Sequence, residues 1–299
     1  MRDWNVLVTG CNGFIGKTFV ERLRGTCRLY GLDTMAPEAG DKHFKKFYVQ
    51  DLKVPFQLSE NFDCVFHLAA LNLTHVGKAG YSAYDEVNVK GTQNLIKAVQ
   101  TKKFIFMSTA KVYKQEGKPI DESAKIEPLH DYEKSKWEAE KVCSTLVPSE
   151  QLLILRPVNI VGARQAEKAV LPVFFKNAIL NNPLEMIVDP KTTLQFLSVK
   201  DIVDCFQQIL ERTNVHGILN LSSIDSISLE KLISDIIKMT GSQSQVRFLG
   251  PVVEKASFSP VISQKAKMAL GWEAKISIES ILEEFCHFYK ENLSILKDG

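Results

Sequence analysis

The chain is poor in several features that would each mark a class of protein. Its 299 residues hold six cysteines, Cys11, Cys27, Cys64, Cys143, Cys205 and Cys286, and no two form a C-x-x-C pair. Scattered thiols fit reduced cysteines in a cytoplasmic protein better than a disulfide framework. The six histidines show no H-x-x-x-H or similar spacing, so no structural or catalytic metal is expected. A formal net charge of only +2 gives no electrostatic basis for holding nucleic acid or a membrane surface. No apolar run approaches the roughly 18 residues of a membrane span. Met1-Arg2-Asp3-Trp4 leads into a strand almost at once, which leaves no room for a signal peptide. Internal repeats and low-complexity segments are absent. The remaining composition, 45% hydrophobic and 24% charged, suits one large or two smaller globular domains.

Three glycines stand out against this background. Asn5 to Thr9 reads as a short buried strand, Gly10, Gly13 and Gly16 follow, and a helical pattern runs through Phe19, Val20 and Leu23. A glycine triplet gains meaning only in such a strand–turn–helix setting. Gly10 permits the tight turn, Gly13 lets the backbone approach a pyrophosphate, and Gly16 lets helix and strand pack closely. The N–H groups of the helix start, at Phe14, Ile15 and Gly16, then face an anion along the helix dipole. A second strand, Arg28 to Leu32, ends at Asp33. A carboxylate about 20 residues past the glycines is placed to accept hydrogen bonds from an adenosine ribose. No arginine adjoins Asp33, and its charge repels a 2′-phosphate, so NAD is expected rather than NADP.

Apolar runs at 5–9, 28–32, 46–49, 63–68, 103–108 and 151–155 alternate with helical patterns, clearest at 88–100 and 132–146. Such alternation predicts a doubly wound parallel sheet of Rossmann type with helices on both faces. Ligands then lie beyond the carboxyl ends of the strands. At one such end, after Val65-Phe66-His67, come Leu68, Ala69 and Ala70, whose small residues let the backbone lie against a cofactor. His67 reads as a structural histidine. Farther on, Tyr132 and Lys136 are four apart and share a helix face. A tyrosine with its ordinary pKa of about 10 is a poor base at neutral pH. A neighbouring ammonium favours the phenolate, and lowering the pKa by three units needs roughly 4 kcal/mol, which the lysine and the positive nicotinamide ring of NAD⁺ are expected to supply together.

The T-G-x-x-G-x-x-G spacing resembles the short-chain dehydrogenase/reductase superfamily. Later motifs resemble its extended branch, the NAD-dependent epimerase/dehydratase family, from about Val6 to about Glu284. The resemblance implies a Ser/Thr–Tyr–Lys triad, which falls on Thr109, Tyr132 and Lys136, with Ser108 beside it. It also implies that Asp51-Leu52 meets the adenine, although Asp51 by spacing alone fits a turn cap equally. Asn88, in Asn-Val-Lys-Gly-Thr, resembles the family's N-x-x-G-T segment, and Asn is also a good helix N-cap. The family's sugar 4,6-dehydratases carry Thr-Asp-Glu where this chain has Thr109-Ala110-Lys111. Water elimination needs that extra acid and base, so dehydration is disfavoured.

Two reactions remain implied: 4-epimerisation of a nucleotide sugar with tightly held NAD, and NAD(P)H-dependent reduction of a 4-keto sugar. A third reading, a non-catalytic NAD-binding sensor or scaffold, belongs to another class. In the second half, Leu155-Arg156-Pro157-Val158-Asn159 resembles L-R-P-x-N, putting Asn159 where the family holds the diphosphate, with Arg164 just beyond. Phe196 to Ile202 and Leu270-Gly271-Trp272 also match. Residues 1–157 are expected to form the cofactor domain, and 158–299 a smaller α/β substrate domain partly interleaved with the sheet. Relatives imply a homodimer through the helices at 88–100 and 132–146, whose outer faces carry Lys90, Lys97, Glu138 and Lys141. The chain departs from the family where arginines usually contact phosphate. Leu194 fills one place, and Pro251 to Lys255 offers only Lys255 at the other. Ala169 replaces an Asn found in some members. Arg164, Lys176, Arg247 and Lys255 are the available substitutes.

Overall fold

The computed structural model describes residues 3–37, 43–72, 80–250 and 258–292. The main sheet is built from β1 (Asn5–Thr9), β2 (Arg28–Asp33), β3 (Lys46–Val49), β4 (Cys64–His67), β5 (Phe104–Met107) and β6 (Leu152–Pro157). Short strands that follow in the chain include β7 (Asn159–Val161), β8 (Leu184–Met186) and β9 (Phe196–Ser198). A last sheet strand, β10 (Gly217–Leu221), joins the outer edge of β6. The spatial order is β10-β6-β5-β4-β1-β2-β3, and every pairing is parallel. The order reverses at β1, between β2 and β4, which opens a crevice at the carboxyl ends there.

Both faces of the sheet are covered, so its strands are apolar at successive positions. Val6 and Val8 point into a core shared with Phe19, Phe66 and Phe206. Leu7 points the other way, into a core with Val65, Leu95, Phe106 and Ala139. The first face is covered by α1 (Phe14–Leu23), and the second by α2 (Gly91–Ala98) and α3 (Asp131–Leu146). Beyond them lie α4 (Val170–Ile179), α5 (Val199–Glu211), α6 (Leu229–Thr240), α7 (Gln264–Leu270) and α8 (Ile278–Glu291). Of these, α5 and α7 return to the first face of the sheet, while α4, α6 and α8 enclose a separate core. In that core the rings of Phe175 and Phe285 stack with centroids 5.5 Å apart. No helix among the described residues is long and apolar enough to cross a membrane.

The expected strands all form, within one or two residues at their ends. The helix expected at 88–100 differs. A turn of α-helix at Tyr81–Tyr84 runs into a π-helical segment, Asp85–Lys90, and then into α2. Asn88 therefore lies inside a helical run and not at its N-cap.

Candidate active site

The glycine turn is held by close backbone approach. Gly10 has φ +67°, and a Cβ there would stand 2.7 Å from the Ala69 backbone. A Cβ on Gly16 would stand 2.2 Å from the Gly10 carbonyl oxygen. The turn thus presses on the loop after β4 and on its own helix. Gly13 is exposed. It is the N-cap of α1, with no side-chain cap and no acidic residue in the first turn. The N–H groups of Phe14, Ile15 and Gly16 lack intrahelical acceptors and are free for an anion.

The Asp33 carboxylate is fixed by the Asn12 N–H at 2.9 Å and the Thr34 N–H at 2.8 Å. Asp51 accepts the Lys53 N–H at 2.9 Å, a turn cap beside buried Leu52. Leu68, Ala69 and Ala70 are half-buried at the end of β4.

Beneath this loop runs a buried chain of hydrogen bonds with one direction. Asn88 O accepts from Thr92 Oγ1 at 2.6 Å, so that hydroxyl accepts from His67 Nε2 at 2.9 Å. The ring's Nδ1 is then the acceptor for Thr9 Oγ1 at 2.8 Å, and Thr9 Oγ1 accepts the Ala69 N–H at 3.3 Å. Burial pushes the His67 imidazole down to about 3, with Lys136 adding to the shift, so it stays neutral. His67 is a brace between strand and helix.

Asn88 is a second brace. Its Oδ1 accepts the Leu71 N–H at 2.8 Å, and its Nδ2 donates to Leu71 O at 3.0 Å and to Ser135 Oγ at 2.9 Å. Ser135 Oγ in turn donates to Tyr132 O at 2.7 Å. The side chain thereby ties the cofactor-side loop to the helix that carries Tyr132 and Lys136. Sequence reading recognised Asn88 by its motif but not Ser135, because a contact 47 residues distant leaves no local signal.

Tyr132 and Lys136 occupy successive turns of α3, whose first turn also carries Asp131 and Glu133. Those acids suit a helix N-terminus. Glu133 Oε2 accepts the N–H groups of Leu129 at 2.9 Å and His130 at 3.0 Å, closing the helix start. The ring of Tyr132 meets Tyr84 edge-on at 6.1 Å. The Lys136 ammonium lies 4.2 Å over the Phe106 ring, and the residue is 2% exposed. Neither the Tyr132 hydroxyl nor the Lys136 ammonium has a hydrogen-bond partner among the described residues. An ammonium on a buried side chain with no protein acceptor can take one from a ligand. Together with the bare N-terminus of α1 and the oriented Asp33 carboxylate, this set fits NAD: a pyrophosphate at one end and ribose hydroxyls at the other.

The ionisation of the pair in the protein without cofactor is set by burial. Burial pushes the Tyr132 phenol up to about 12, reinforced by Tyr84 and Glu133. Burial also pushes Lys136 down to about 8, against the opposing pull of Cys143 and Glu140. Desolvation outweighs the lysine in the protein by itself, so the phenol is protonated at neutral pH. Lys136 is penalised while charged, fully below about pH 8 and progressively less toward its ordinary 10.5. NAD-free protein should therefore gain stability across that window on this group's account. Lys136→Met should remove that slope and raise Tm at pH 7 while abolishing turnover. Thermal melts at pH 7 and 9 check this, and an unchanged slope would contradict it.

Thr109 ends the segment after β5 and is 7% exposed. Its hydroxyl accepts the Lys111 N–H at 3.2 Å and keeps its own proton to donate. The Ser108 hydroxyl is committed elsewhere, donating to the Glu140 carboxylate. Glu140 is also bidentate to Arg156, and both side chains are 2% exposed. Arg156 lies 4.7 Å over the Tyr113 ring. This buried ion pair was not anticipated from sequence. The three residues lie on separate elements.

Asn159 donates from Nδ2 to Gln195 O at 3.1 Å, just before β9. Arg164 is exposed and unpaired among the described residues. Leu194 is partly buried and packs against the core of α4, α6 and α8. Lys176 is half-buried, Arg247 donates to Gln245 Oε1 at 3.3 Å, and Lys255 lies outside the described residues. A cleft of about 580 Å³ opens past the end of β10, lined by Ser222, Ser223, Asp225, Gln195 and Lys267. It does not include Thr109, Tyr132 or Lys136.

A family model described as the NAD dependent epimerase/dehydratase family matches residues 6–222. The chain is 25% identical to the "Uncharacterized UDP-glucose epimerase YtcB" of Bacillus subtilis (strain 168), covering 92% of this chain and 94% of that protein. It is 28% identical to the dTDP-D-glucose 4,6-dehydratase of Bos taurus, over 98% of this chain and 91% of the relative. The solved UDP-glucuronic acid 4-epimerase of Bacillus cereus shares the fold, with a TM-score of 0.83 at 24% identity over 96% of this chain and 99% of that one. The matched span holds the glycine turn, the Asp33 carboxylate and the Tyr132–Lys136 pair, so the chain belongs to the NAD dependent epimerase/dehydratase family.

Proposed function

We propose that the protein is an NAD-dependent nucleotide-sugar 4-epimerase with Tyr132 as its acid–base group. The observation that carries this reading is the pair of unpartnered polar tips on successive turns of α3. NAD would be held by Gly10, Gly13 and the first turn of α1, by Asp33 and by Lys136, and it supplies hydride acceptance and donation when bound. The protein's own part is proton handling. Tyr132 takes the proton of the sugar 4-hydroxyl and later returns it, with Thr109 donating a hydrogen bond to the same oxygen. Lys136 holds the positive charge that favours the phenolate as the site fills. Its effect grows because the surroundings exclude water.

Epimerisation is supported over dehydration by Ala110 and Lys111, which leave that stretch without a carboxyl acid or base. A relative named as a UDP-glucose epimerase supports the substrate class. Asn159 and Arg164 are the groups offered to the diphosphate.

The test uses UDP- and dTDP-linked hexoses deuterated at C4, incubated with purified protein and no added cofactor. The reading predicts 4-epimers that keep the label at C4. Consumption of added NADH by a 4-keto sugar, with no epimer formed, would instead make the protein a reductase. NAD binding without either reaction would make it a sensor.

A further inference from the structure

One aromatic ring rests directly on the proposed acid–base group. Tyr84 meets the Tyr132 ring edge-on, with centroids 6.1 Å apart and planes at 61°. An edge-to-face pair at that spacing depends on orientation and is worth about 0.5–1.5 kcal/mol beyond the area it buries. The two partners differ in freedom. Tyr84 is 4% exposed, whereas Tyr132 is half-buried. Tyr84 is thus the fixed member of the pair. The Tyr84 hydroxyl makes no hydrogen bond to a described residue, so the contact is one of ring on ring. The same turn of α3 is held a second time. Tyr84 closes the turn Tyr81–Tyr84 and leads straight into the π-helical segment Asp85–Lys90. Asn88, inside that segment, reaches Tyr132 O through Ser135 Oγ, in steps of 2.9 and 2.7 Å. One helical run therefore grips Tyr132 twice, Asn88 by its backbone and Tyr84 by its ring. π-Helical turns are rare and occur frequently at functional sites. The backbone grip fixes where the Tyr132 side chain begins but leaves it free to turn about Cα–Cβ. With no hydrogen bond to the Tyr132 hydroxyl from a described residue, the ring contact is what limits that rotation.

We propose that Tyr84 is a positioning residue for the acid–base step, its ring holding the Tyr132 phenol in the orientation from which it meets the sugar 4-hydroxyl. This rests on the epimerase reading of the same site. Tyr84 exchanges no proton, and its own hydroxyl is dispensable; the flat ring edge is what the step needs. A reacting group misplaced by about 1 Å can cost 10²-fold in rate. The cost falls on kcat, since the groups that bind NAD and the diphosphate stay where they are.

The experiment compares NAD-loaded wild type, Tyr84→Phe and Tyr84→Met on UDP- and dTDP-linked hexoses. Tyr84→Met keeps a buried apolar side chain without a ring edge, and Tyr84→Leu takes its place if it does not fold. Melting temperature is recorded for each variant, and kcat is read per folded, NAD-bound molecule. Tyr84→Phe should match wild type. Tyr84→Met should lose about 10²-fold in kcat with KM and retained NAD near wild type. Added to Tyr132→Phe, the same change should cost no further turnover, because the hydroxyl it positions is gone, whereas an independent loss would add. A ring-less variant as fast as wild type, a Tyr84→Phe as slow as Tyr84→Met, or additive losses in the double variant would overturn the role of Tyr84 and leave the epimerase reading standing. If folded wild type forms no 4-epimer from any of these sugars, the epimerase reading falls and this inference falls with it.

Discussion

Tyr132→Phe is expected to lower kcat by about 10³-fold, within the roughly 10²–10⁴-fold range of a positioned acid–base group. The substitution removes one oxygen. It leaves the edge-on contact with Tyr84 and the backbone bond from Ser135 to Tyr132 O in place. NAD affinity should stay near that of wild type, because the glycine turn, Asp33 and Lys136 are untouched. Binding followed by quenching of protein fluorescence, beside single-turnover kinetics, separates the two quantities. Full turnover in the variant would remove Tyr132 from the chemistry. The high pKa of the phenol sharpens this expectation. A phenol pushed up to about 12 is an inert proton store in the protein by itself, so activity should depend on the charge brought by an oxidised nicotinamide.

Arg156→Leu is expected to be among the most destabilising single substitutions in the chain, costing about 3–5 kcal/mol. The Glu140 carboxylate would be left at 2% exposure without its ion-pair partner, keeping the hydrogen bond from the Ser108 hydroxyl and the more distant Lys136 charge. The Tyr113 ring would also lose its cation. Because the penalty is that of an orphaned buried charge, the double variant Glu140→Leu/Arg156→Leu should recover most of it. Urea denaturation midpoints of the three proteins decide the matter. A double variant as weak as the single would mean that packing around Arg156, and not charge, sets the loss.

The sheet was legible because its signals are local. Glycines at fixed spacing, a carboxylate at the end of β2 and apolar runs alternating with helical patterns each act over a few residues, and they agree. The Tyr132–Lys136 spacing was legible for the same reason. The π-helical segment was not, since Asp85–Lys90 contains no glycine or proline to mark a change of pitch. Nor was the diversion of the Ser108 hydroxyl to Glu140, 32 residues on. The burial that raises the Tyr132 phenol was not readable, because spacing displays only the lysine and burial comes from the fold as a whole. The arginine replaced by Leu194 was readable as a departure, but only the structure shows an apolar core receiving that side chain.

The outermost strand of the main sheet, Gly217–Leu221, is supplied by the second half of the chain and hydrogen-bonds to Leu153–Pro157. A fragment ending at 157 would expose that row of amides and carbonyls as a free edge, a template for pairing with other chains. The cofactor region is thus not a module that can be excised, and a nascent chain completes its central sheet only after Leu221 has left the ribosome.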